Sequence, residues 1–71
     1  RLTEEDVLES ATEHYRRHGK LPHGESNERV PNFPFLTWRN VNTALVQGKH
    51  GLKPGRSLAA LLKPLRVQLS A

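Results

Sequence analysis

Wound at about 100° per residue, a helix over residues 37–47 gathers Arg39, Asn40, Thr43 and Gln47 within roughly a third of its circumference. These side-chain types are the ones that reach base edges. Arginine pairs with guanine, asparagine and glutamine pair with adenine, and threonine serves either a polar atom or a thymine methyl. The same residues also suit any solvated helix face. Directly after them comes GKHGLKPGRS, a loop carrying Lys49, Lys53 and Arg56 among three glycines and leading into a further helix. Amides at a helix start with cations beside them suit one phosphate of a nucleic-acid backbone, the alternative being an ordinary solvated linker. Nucleotide binding of the P-loop kind is not expected. Only three residues separate Gly51 from Gly55 where the motif needs four, Arg56 stands in place of its lysine, and no strand precedes it.

Metal and acid–base chemistry find weaker footing. His14 and His18 are spaced i, i+4 and could face one ion, but the glutamate of a zinc-protease helix is missing, and His23 and His50 lie in loops. We read all four as ordinary half-buried or surface histidines, with His18 beside the apolar stripe of its helix, and expect no metal and no cofactor. Cysteine is absent, which removes disulfides, thiolate nucleophiles and cysteine-based zinc sites together. No Ser/His/Asp set or carboxylate pair can be assembled from these positions, so no enzyme activity is expected.

The elements that must hold these residues are marked by their ends. Thr3 precedes Glu4, Glu5 and Asp6, so its hydroxyl can cap a first helix while the carboxylates sit at the positive end of the dipole. Leu2 and Val7 stand where a hydrophobic staple closes over that cap, and Gly19 ends the helix. Val7, Leu8, Ala11 and Tyr15 form the predicted apolar stripe. A second helix runs from Thr37 as cap to Gln47 and stops at Gly48, with Trp38, Val41, Ala44 and Leu45 facing inward. A third begins behind Ser57 with Leu58, Leu61, Leu62, Leu65 and Leu69 in line. Pro64 either kinks it or starts a new short helix.

Between the first two helices, residues 20–36 show no helical period, and Pro22, Gly24, Pro31 and Pro34 would break one. This stretch reads as a long proline-containing loop. Phe33 and Phe35 near its end either plug the gap between helices or stand on the surface for a partner. The expected fold is therefore all-α, a single three-helix module over residues 1–71.

Seventy-one residues leave room for one small core, which excludes a two-lobed enzyme with a cleft between domains. No apolar run approaches the roughly 20 residues that span a bilayer, so no membrane partner is expected. The chain has no methionine and begins at Arg1, which reads as a piece of a longer protein whose neighbouring domains would be its partners; a cytoplasmic location fits the lack of cysteine. Charge is divided sharply along the chain. Residues 1–36 carry five bases against all seven acids, a balance of −2, whereas residues 37–71 carry six bases and no acid, a balance of +6. Such a one-sided excess attracts polyanions, with nucleic acid the commonest.

Several spacings together resemble a known type of module. HYRRHGKLP, then TW, then TALVQGKHGLKPGRSLAALL, is similar to the tandemly repeated bacterial helical modules akin to homing-endonuclease-associated repeats and helicase-associated domains. The matching positions are Gly19, Pro22, Trp38, Ala44, Leu45, Gly48, Gly51, Leu52, Gly55, Ser57, Leu58, Leu61 and Leu62, covering about residues 3–63. The segment from His23 to Phe35 departs from that pattern, and one copy is present where such modules occur in series. The resemblance implies a three-helix fold and an accessory unit attached to a nuclease or helicase. The combined expectation is a nucleic-acid-binding module, DNA favoured, using Arg39, Lys49, Lys53, Arg56 and Lys63 on phosphates and Asn40, Thr43 and Gln47 on bases. Its rival is a protein-interaction adapter that docks an acidic or apolar surface through the basic half or the FPF segment.

Overall fold

In the computed structural model, which describes residues 2–69, each helix begins behind a hydroxyl cap. Helix α1 spans Glu4–His18, α2 spans Trp38–Gln47 and α3 spans Leu58–Leu69. Thr3 Oγ1 accepts from the Asp6 amide while Asp6 Oδ2 accepts from the Thr3 amide, each at 3.1 Å, so two orphan donors are satisfied reciprocally. Thr37 and Asn40 repeat the device at α2, with bonds of 3.0 and 3.2 Å. At α3 the Ser57 hydroxyl accepts from Ala60 N at 3.1 Å. Both α1 and α2 end on left-handed glycines, Gly19 at φ 74° and Gly48 at φ 79°. Leu2 and Val7, the two staple positions, are both buried in the core cluster.

The all-α expectation is wrong in one place. Residues Arg29–Val30 (β1) and Phe33–Thr37 (β2) pair as an antiparallel ribbon, Arg29 opposite Thr37 and Val30 opposite Phe33, with an irregularity between Arg29 and Val30. The fold is α+β. Proline breaks helices, but on a two-stranded ribbon every strand is an edge, so Pro34 in β2 can leave its missing donor toward solvent. A ribbon this short is marginal alone. Here it is anchored twice: Val30 and Leu36 bury into the core, and Glu28 and Ser26 carbonyls accept from the Trp38 and Arg39 amides at 3.2 and 3.0 Å. The open N-terminus of α2 is thereby closed by the segment that precedes it.

One apolar cluster joins all the elements. It holds Leu2, Val7 and Ala11, Val30 and Leu36 of the ribbon, Trp38, Val41, Ala44 and Leu45 of α2, Leu52 of the following loop, and Leu58, Leu61 and Leu62 of α3. The inward face of α1 differs from expectation, and of the two alternatives at Pro64 the single helix holds. The buried face of α1 runs through Val7, Ser10, Ala11 and His14, so His14 lies inward, His18 is exposed, and Leu8 and Tyr15 are half-buried flanks. Helix α3 continues through Pro64 as one element, and because Pro64 and Ala60 are both exposed, the carbonyl deprived of a partner can face water. Phe33 packs against the core, while Phe35 remains 71% exposed.

The loop after α2 folds back on that helix: Gly55 N donates to Val46 O at 3.1 Å, and Pro54 lies over Gly48. A Cβ at Gly48 would stand 2.9 Å from Pro54 Cδ, whereas one at Gly19 meets nothing within 4 Å. Both glycines carry the left-handed backbone, a penalty of about 1–2 kcal/mol for alanine. Gly48→Ala is therefore expected to melt several degrees below Gly19→Ala. Equal melting temperatures would mean that the 48–56 loop is not held on α2.

Candidate nucleic-acid interface

Helix α2 buries Trp38, Val41, Ala44 and Leu45, and this fixes which side chains it leaves outside. Arg39, Thr43 and Gln47 follow one another at i, i+4 and i+8, so they form a strip along one outer face, with Arg39 and Gln47 exposed and Thr43 half-buried. Asn40 adjoins this strip but is otherwise engaged. Its Oδ1 accepts from Thr37 N at 3.0 Å as half of the cap, which turns the side chain back toward the helix start and away from the bidentate pairing with adenine. Neighbouring Asn42 is also structural, its Oδ1 accepting from Leu58 N at 2.8 Å and so tying α2 to the start of α3.

The basic loop begins where the strip ends. Gly48 N and Lys49 N both donate to Ala44 O, at 2.7 and 2.9 Å, and Leu52 N donates to Lys49 O at 3.0 Å while Leu52 itself is buried. These bonds hold Lys49 and Lys53, both exposed, beside the C-terminal end of α2. Lys63 is exposed on a different helix, α3. Among the described residues, Arg39, Lys49, Lys53 and Lys63 have no carboxylate within ion-pair distance. Arg56 differs. Its Nη1 donates to both carboxylate oxygens of Glu4 at 3.1 Å, bridging the loop to the first turn of α1.

The phosphate cradle at the head of α3 is not open in the way the spacing suggested. Leu58 N is taken by Asn42, Ala60 N by the Ser57 hydroxyl and Leu61 N by the Ser57 carbonyl at 3.0 Å. Cationic side chains, rather than helix amides, are what this region offers an anion.

A second grouping, outside the basic half, brings together residues far apart in sequence. His14, 3% exposed, places its ring edge-on to Trp38 with centroids 5.8 Å apart, and its Nδ1 lies 2.9 Å from Lys20 O. Its Nε2 is 3.5 Å from Glu28 Oε1, and His18 Nε2 is 3.9 Å from Glu28 Oε2. The hydrogen bond with His14 holds the Glu28 carboxyl below its ordinary range, helped by the charges of His18 and His14 and by Ser26, against a smaller opposing effect of desolvation. The i, i+4 spacing marked the two histidines, but Glu28 lies in a stretch without periodicity, and no local spacing links it to them. The only clue was a carboxylate close before the β1 residues.

No helix among the described residues is long and apolar enough to cross a membrane. Comparison with protein families, with curated proteins and with solved structures finds no match for this chain.

Proposed function

We propose that this module binds nucleic acid, DNA in preference, through the outer face of α2 and the loop that follows it. The observation that carries this reading is the run of exposed cations Arg39, Lys49 and Lys53 along and beyond α2, unpaired among the described residues, in a half of the chain that contains no acid. Counterion release from phosphates favours binding to such a surface whatever the base sequence. Thr43 and Gln47 supply polar groups between the cations, where base edges would lie if α2 enters a groove. Lys63 extends the basic surface onto α3. The resemblance to modules that accompany nucleases and helicases is a second support, and it makes this an accessory unit whose affinity is raised by neighbouring units of a longer protein.

The pairing of Arg56 with Glu4 separates this reading from a general attraction to positive charge. Lys53→Ala is expected to lower the slope of log affinity against log salt by about 0.9, one phosphate contact. Arg56→Ala is expected to lower it by less, because that guanidinium already faces a carboxylate. Fluorescence anisotropy of a labelled duplex with each variant measures both slopes. Unchanged slopes in both would remove the loop from the interface.

The adapter reading has one observation in its favour, Phe35, exposed and edge-on to Phe33 at 6.2 Å. An exposed ring of this kind suits a protein partner. It prevails if the isolated module fails to bind duplex at low salt.

A further inference from the structure

We infer that His14, His18 and Glu28 form a binding site for a divalent transition-metal ion of the zinc class. The three side chains offer one ligand atom each, and these atoms lie within 4.8 Å of one another. A tetrahedral ion with bonds of about 2.0–2.1 Å keeps its donors about 3.3 Å apart. His14 Nε2 lies 3.5 Å from Glu28 Oε1 and His18 Nε2 3.9 Å from Oε2, and side-chain rotations that close the set, now within 4.8 Å, toward that spacing would complete the site.

Protonation chemistry points the same way. A backbone carbonyl only accepts, so the 2.9 Å contact between His14 Nδ1 and Lys20 O places a proton on Nδ1. In the neutral ring, Nε2 is then the nitrogen left to bind a metal ion. The Nδ1–H···O=C bond is also the outer contact that metal-bound histidines usually carry, because it fixes the tautomer and aims Nε2.

The surroundings orient the other donors. Glu28 is anchored through its own carbonyl, which accepts from Trp38 N at 3.2 Å, and its Oε1 lies 3.4 Å from the Ser26 hydroxyl. His18 follows His14 by one helical turn, with ring centroids 4.5 Å apart. Imidazole nitrogens with one carboxylate suit zinc and its neighbours over magnesium or calcium, which prefer all-oxygen sets. His14 is buried, but His18 is 45% and Glu28 56% exposed, so an ion has an approach path and a fourth position open to water. Bound there, it would clip the C-terminal turn of α1 to the segment entering the ribbon. The inference is independent of nucleic-acid binding.

Titration of the untagged, metal-free chain with Zn2+ by isothermal calorimetry tests it. One ion per chain is expected, with a rise in Tm of roughly 10–20 °C when free Zn2+ exceeds Kd about 100-fold. Because replacing His14 also disturbs the core, the variants are the exposed ligands: His18→Ala and Glu28→Gln should each weaken binding at least about tenfold while keeping the helical circular dichroism of the parent. Cobalt substitution adds a readout free of stability, since a four-coordinate Co2+ absorbs strongly in the visible and the band should vanish in the double variant. Absence of stoichiometric binding to the parent overturns the site. So does binding that survives in the double variant but is lost on replacing His23 or His50.

Discussion

Trp38→Ala is expected to cost about 3–5 kcal/mol and, in a domain of this size, to leave little folded protein at room temperature. The side chain is 0% exposed, opens α2 and meets His14 edge-on, and it is the largest member of a core otherwise built of leucine, valine and alanine. Its amide also donates to the Glu28 carbonyl at 3.2 Å, which ties the head of α2 to the segment before β1. The indole Nε1 is buried without a hydrogen-bond partner, so its polar group contributes nothing that a hydrocarbon ring would lose. Trp38→Phe is therefore expected to cost clearly less than Trp38→Ala, the difference reflecting the smaller cavity. Thermal melts followed by circular dichroism compare the three chains. An alanine variant that melts like the parent would mean that Trp38 does not hold the core together.

How much of this could be read in advance depends on how local the determining chemistry is. Thr37 and Gly48 bound α2 at the residues where the structure starts and stops it, because a hydroxyl cap and a left-handed glycine act within a few positions of themselves. Trp38, Val41, Ala44 and Leu45 were legible as an inward face for the same reason, since a 3.6-residue period needs no knowledge of what lies opposite. The ribbon was not. Val30, Phe33 and Leu36 carry its inward or half-buried positions, but four prolines and glycines among residues 20–36 suppressed a strand reading, and pairing is decided by anchoring to the core and to the head of α2.

The candidate sites divide along the same line. The Arg39–Thr43–Gln47 strip is a consequence of helical spacing alone. The engagement of Asn40 in a cap was also open to view, because a capping threonine with a polar residue three positions later is a local pattern. The Arg56–Glu4 pair, spanning 52 residues, and the approach of Glu28 to His14, spanning 14, are products of tertiary packing that no window along the chain contains.

If the surface of α2 and its loop meets phosphates, as proposed, binding must respond steeply to salt. Six bases stand in residues 37–71 with no acid, and three to five simultaneous contacts are a reasonable range for one exposed side. Each contact contributes about 0.9 to the slope of log affinity against log salt, so raising salt from about 50 to about 200 mM should weaken duplex binding roughly 40- to 500-fold. That is the largest effect expected anywhere in the functional account, and it requires no knowledge of a preferred sequence. The direct measurement is the affinity of the isolated module for a labelled duplex across that range. Measurable binding at the lowest salt and a slope between about −2.7 and −4.5 are expected; no binding at the lowest salt, or an affinity indifferent to salt, would remove phosphate from this surface.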